Sequence, residues 1–122
     1  TIGLHNPGME IYAADVKDAM EDRAEARYDA EKDAAKHNYE IAQENCKNMS
    51  GNAKDVCMKD AKAEYVKAKS QAKVEKKSGK EQAEATEDQM KAYYKAGKEK
   101  CDQLSGNAKD TCISDAKMKY RQ

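Results

Sequence analysis

The chain has no tryptophan and no phenylalanine, a single proline, and only two histidines among its 122 residues. Without either of these aromatics, and with 38% of its residues charged, it cannot assemble a thick apolar core. No stretch is long and apolar enough to span a bilayer as a helix. A net charge of zero argues against a nucleic-acid binder, since the lysines of residues 54–80 can be answered by the chain's own acidic segment rather than by phosphates. That lysine-rich segment also lacks the aromatic face of an interfacial membrane helix.

Catalytic groups are equally sparse. His5 falls in a stretch without periodicity and His37 in an acidic helical segment, with no pocket signalled around either. Ser50, Ser70, Ser78, Ser105 and Ser114 have no local base, and carboxylate pairs such as Glu21-Asp22 and Glu87-Asp88 read as solvated helix surface. The expectation is no enzyme, no cofactor and no resident metal. Copper binding is carried forward as an alternative, through His5, Met9, Met20, Met49, Met58, Met90 and Met118 as soft or borderline ligands, although packing is the stronger account of the methionines.

What the chain does have is four cysteines in two matching frames. Cys46 and Cys57 bracket Ser-Gly-Asn-Ala-Lys-Asp at residues 50–55, and Cys101 and Cys112 bracket the same six residues at 105–110. Each frame reads as helix, tight turn, helix. Gly51 and Gly106 can take the left-handed conformation that ends a helix, and Asn52 and Asn107 can cap the next one. Asp55 and Asp110, three residues on, complete a capping-box-like pair near the positive end of the new helix.

Folding an antiparallel pair about this turn places Cys46 opposite Cys57, with facing residues whose numbers total 103. Stepping by threes and fours, Tyr39, Ala42, Cys46 and Met49 face Ala53, Cys57, Ala61 and Tyr65. In the second copy Tyr94, Gly97, Cys101 and Leu104 face Ala108, Cys112, Ala116 and Tyr120. Small neighbours let the backbones reach the roughly 5.5 Å between Cα atoms that a disulfide needs. Two local disulfides are therefore expected, ahead of a shared four-thiolate zinc site, for which the close ligand spacing is missing, or of reduced buried thiols. Tyr39, Tyr65, Tyr94 and Tyr120 are expected to close the seams.

Taken in order, residues 1–8 carry the Asn6-Pro7-Gly8 breaker and read as a flexible tail or an appended remnant, leaving residues 9–122 as one helical domain. A helical pattern then runs from about Glu10 to Met49, with 11 acidic against 6 basic residues over 1–49. Residues 50–80 reverse the balance, with 9 basic against 4 acidic, which suits antiparallel neighbours. Lys77-Ser78-Gly79-Lys80 invites a break, because glycine costs about 1 kcal/mol inside a helix.

Two all-α architectures follow. If the helix continues through Gly79, two disulfide-locked antiparallel hairpins share a long central helix in an elongated form. Facing residues then total 213 at the second hairpin, and the first and last helices meet near Tyr93, gathering Met9, Tyr12, Met90, Tyr93, Tyr94, Met118 and Tyr120. If it breaks, the hairpins fold together as a compact four-helix bundle. The elongated form is favoured, and its small buried surface predicts a dimer or higher assembly.

Residues 39–66 and 94–121 are identical at 14 positions, so the hairpin is a duplicated unit. The Ser-Gly-Asn-Ala-Lys-Asp turn inside a Cys-x10-Cys frame, set in Ala- and Lys-rich helices, resembles small exported proteins of Gram-negative bacteria that carry one or more such hairpins. The matching motif covers about half the chain. The resemblance implies a periplasmic or secreted protein and names no activity; paired cysteines favour the same oxidising compartments. The functional expectation is a structural or interaction protein that associates with itself or an envelope partner. The alternative is a stress-protective or chaperone-like protein, because residues 61–87 are similar in composition to Ala/Lys/Glu-rich desiccation proteins.

Overall fold

A computed structural model of the protein describes residues 12–122 and is helical nearly throughout. Its elements are α1 (Ala13–Cys46), α2 (Gly51–Cys101) and α3 (Gly106–Lys119). The chain supplies good helix formers, and its one proline lies ahead of α1. The expected residues 1–8 tail, His5, Met9 and the start of the first helix at Glu10 lie outside the described residues. Helix α1 ends at Cys46, three residues before the expected Met49. There the Met49 N–H turns back to the Cys46 carbonyl at 3.1 Å, and the copy repeats this with Leu104 and Cys101 at 3.0 Å.

Helix α2 continues through Ser78-Gly79, so the break that a four-helix bundle would require is absent. The reason lies across the seam. A Cβ at residue 79 would stand 2.9 Å from the Cβ of Ala24, which is too close for any side chain. Gly79 is a point of close helix approach, and the packing gained there offsets its weak helix propensity.

The described residues form two units. In the Asp22–Lys80 unit, α1 and the first part of α2 run antiparallel and are joined by the Cys46–Cys57 disulfide, with 5.8 Å between Cα atoms. The facing rule expected from the cysteines extends the whole way, because Ala24 and Gly79 also total 103. Buried here are Ala24, Ala35, Ala61 and Ala72 with Cys46, so alanine and cystine make up the core. Tyr39 and Tyr65 stack at 4.6 Å between ring centroids with 6° between planes.

The second unit combines residues 12–21 with Glu81–Gln122. Cys101–Cys112 closes it at 5.6 Å between Cα atoms, and a Cβ on Gly97 would meet that of Ala116 at 3.4 Å. Ala13, opening α1, donates its N–H to the Arg121 carbonyl just beyond α3, so the start of one helix meets the end of the other. Tyr120 lies against Tyr93 at 5.8 Å, and both this pair and Gly97 with Ala116 total 213 as expected. The expected apolar cluster is only partly formed, however. Met90, Tyr94 and Tyr120 are half-buried, whereas Tyr12, Tyr93 and Met118 remain exposed, Met118 at 76%. With small alanines filling the seam, the helices approach too closely to enclose larger side chains.

One regularity underlies both units. On α1 the buried residues Ala13, Ala24, Ala35 and Cys46 recur every 11 positions, and on α2 so do Ala61, Ala72 and Ala83. A second series on α2 comprises Cys57, Ala68, Gly79 and Met90, all half-buried, and then buried Cys101. Eleven residues complete three turns at about 3.67 residues per turn, so positions 11 apart return to nearly the same angle around the helix. The duplicated hairpins are offset by 55 residues, a whole number of such steps.

Candidate interaction surface

Each hairpin turn is built from a left-handed glycine. Gly51 has φ +60° and Gly106 φ +59°, with open space where a Cβ would lie, so backbone conformation alone asks for glycine. These glycines begin the following helix rather than ending the preceding one. The cap position accordingly falls on serine and not on Asn52 or Asn107. Ser105 is extended at φ −141°, ψ 160°, and its carbonyl accepts the Lys109 N–H at 3.4 Å; Ser50 accepts from Lys54 at the same distance. The Ser105 hydroxyl makes no capping bond. Asn52, Asn107, Asp55 and Asp110 all lie inside the helices, placed there because the chain is already helical one residue before each asparagine.

The tyrosine seam also differs between copies. Tyr39 and Tyr65 pair as expected, but Tyr120 takes Tyr93 rather than Tyr94. The first copy has Asn38 at the place of Tyr93, so only the second copy offers two rings for one partner. Tyr94 instead carries the Lys98 ammonium at 4.8 Å from its centroid.

Charges on the Asp22–Lys80 unit are arranged by flank. Glu25 accepts from Lys80 at 2.6 Å and stands 3.5 Å from Lys76. The Lys80 hydrogen bond, followed by the positive charges of Lys76 and Lys80, holds its carboxyl below the usual carboxylate value. Glu31 lies on the other flank and behaves oppositely. Its hydrogen bond with Glu75, aided by burial and by the Glu75 charge, raises its pKa. On the Glu25 flank Lys69 and Lys76 lie over Tyr65 and Tyr28 at 4.6 and 4.5 Å, and a shallow groove of about 380 Å³ includes Tyr28, Lys32, Lys69 and Lys73.

A second open groove, about 500 Å³, runs beside the Cys46–Cys57 cystine and is lined in part by Met49, Ala53 and Val56. Ile41, Val56, Val66 and Val74 are all about half exposed or more. His37 is exposed, and among the described residues no three His, Cys, Asp or Glu side chains come together as metal ligands. No described helix is long and apolar enough to cross a membrane. What the geometry offers is extended helix faces, some charged and some apolar. The eleven-residue spacing behind them went unread in the sequence, although the 55-residue offset of the repeat carried it. Comparison with known proteins finds no match among protein families, curated proteins or solved structures.

Proposed function

We propose that this is a non-enzymatic, exported helical protein that acts by presenting the faces of its disulfide-locked hairpins, to other copies of itself in the first place and to envelope partners beyond. The observation that carries this reading is the imbalance between core and surface. Among the described residues the largest fully buried side chains are Cys46 and Cys101, the other buried ones are alanines, and Val74 and Met118 stand 67% and 76% exposed. A fold with so thin a core gains much from covering its outer faces. Two disulfides are consistent with an extracytoplasmic protein, and the resemblance of the turn motif to exported Gram-negative proteins supports a periplasmic or secreted location.

Sedimentation equilibrium of the oxidised protein over a roughly hundredfold concentration range tests the self-association. A mass that rises with concentration is the expected result. A single monomer mass throughout refutes it.

A further inference from the structure

The Glu25 flank of the Asp22–Lys80 unit carries two complementary charge lanes. On α1, Asp29 and Glu40 are 11 residues apart and share one angle around the helix, with Asp33 about 30° away. On α2, Lys62 and Lys73 share one angle in the same way, with Lys69 beside them. All six residues are exposed. The ion pairs from Glu25 to Lys76 and Lys80 establish that these flanks of the two helices lie on the same side of the hairpin, since Asp29 stands one turn beyond Glu25 and Lys73 one turn before Lys76.

The lanes match in height. Facing residues of this unit total 103, as Cys46 and Cys57 do. Glu40 with Lys62, Asp33 with Lys69, and Asp29 with Lys73 each total 102, within one residue of level. Yet the lanes point outward, away from each other, and among the described residues Asp29, Asp33, Glu40 and Lys73 take part in no ion pair. Lys62 and Lys69 reach over tyrosine rings, which holds them on this flank.

We infer that two copies of the protein pair through this face, about a two-fold axis parallel to the helices, so that the acidic lane of each lies on the lysine lane of the other. This rests on the self-association proposed above and names the surface that performs it. Rotation about an axis parallel to the helices preserves height, carries α1 of one copy over α2 of the other, and makes the contact self-complementary. A two-fold axis across the helices within the same face would set acid on acid and lysine on lysine. The charge pattern therefore selects one arrangement by repelling the other. Val66, 47% exposed and lying between Lys62 and Lys69, supplies an apolar point within the contact.

Lane reversal tests the inference. One variant carries Lys62→Glu, Lys69→Glu and Lys73→Glu, the other Asp29→Lys, Asp33→Lys and Glu40→Lys. Circular dichroism reports whether each remains helical. Each variant alone is expected to associate at least about tenfold more weakly than the wild type, while an equimolar mixture recovers the paired mass, because each lane then meets its opposite. The wild-type protein provides a second readout that needs no variant, with a dimer at about 20 mM salt that weakens at least about tenfold by 0.5 M. Variants that pair alone as the wild type does, a mixture that fails to recover, or a dimer indifferent to salt each overturn the lane contact while leaving self-association standing. A wild-type monomer at every concentration and salt overturns both.

Discussion

Ala24 occupies the space that a side chain on Gly79 would need, with 2.9 Å between its Cβ and the position a Cβ would take there. The contact joins methyl-sized groups held by two backbones, so neither can swing aside. Gly79→Ala gains about 1 kcal/mol of helix propensity but incurs an overpacking cost of about 1–3 kcal/mol. The net expectation is a loss of about 1 kcal/mol, read as a lower urea midpoint. Ala24→Gly combined with Gly79→Ala is expected to recover part of that loss, and a double-mutant cycle in which the two changes simply add would remove the close-approach account.

Reduction is expected to be costly. Each disulfide links residues with a sequence separation of 11, which in the chain-entropy treatment contributes about 3 kcal/mol, and it joins a buried cysteine, Cys46 or Cys101, to a half-buried one, Cys57 or Cys112. Replacing Cys46 and Cys57 together by serine should lower the melting temperature by about 10 °C. Circular dichroism of the oxidised and reduced protein in dilute buffer makes the measurement. An oxidised protein that is mostly coil would favour the stress-protectant reading instead.

Gly51 and Gly106 give a cleaner backbone experiment, because an added Cβ meets nothing within 4 Å at either site. Gly51→Ala and Gly106→Ala should each cost about 1–2 kcal/mol through left-handed strain alone. Asn at either position, which tolerates that conformation, should cost less. Equal losses for alanine and asparagine would mean that something other than φ is responsible.

Glu31 and Glu75 predict a pH dependence. Hydrogen bonding to Glu75 raises the folded pKa of Glu31 above its ordinary 4.5, so the stabilisation from this pair is present below that value and is lost as pH rises through the folded pKa. Glu31→Gln should therefore raise the melting temperature at neutral pH and have little effect under acidic conditions. Glu25 has the opposite sign. Its pKa is lowered by Lys80 and Lys76, so its contribution is present at neutral pH and lost on acidification, and Glu25→Gln should be destabilising only when the wild-type carboxylate is charged. Melts at neutral and acidic pH that shift both variants in the same direction would contradict this assignment.

The cysteine frames made the hairpins legible in the sequence. Once Cys46 is set against Cys57 and Cys101 against Cys112, simple counting carries the facing rule out to Ala24 with Gly79 and to Tyr93 with Tyr120. Features that depend on torsions or on a neighbour across the seam were not legible. Ser105 takes the cap position because of its extended backbone, a preference that its residue type shares with the asparagine two positions on. Gly79 reads as a helix breaker until Ala24 is known to lie opposite it. The exposed Met118 was expected inside because an apolar side chain carries no mark of how closely its neighbours pack. The charge lanes are hidden in a different way, since Asp29 and Glu40, or Lys62 and Lys73, align only when the chain is counted in elevens.

That count also acts as a ruler for changes in length. A single residue deleted from the middle of α2 would turn everything beyond it by about 100° relative to what precedes it, and swing buried Ala83 away from α1. A block of 11 residues would preserve the angle. The chain can thus be lengthened or shortened in whole blocks, each adding or removing three helical turns, provided a matching block is inserted or removed opposite it on the facing helix.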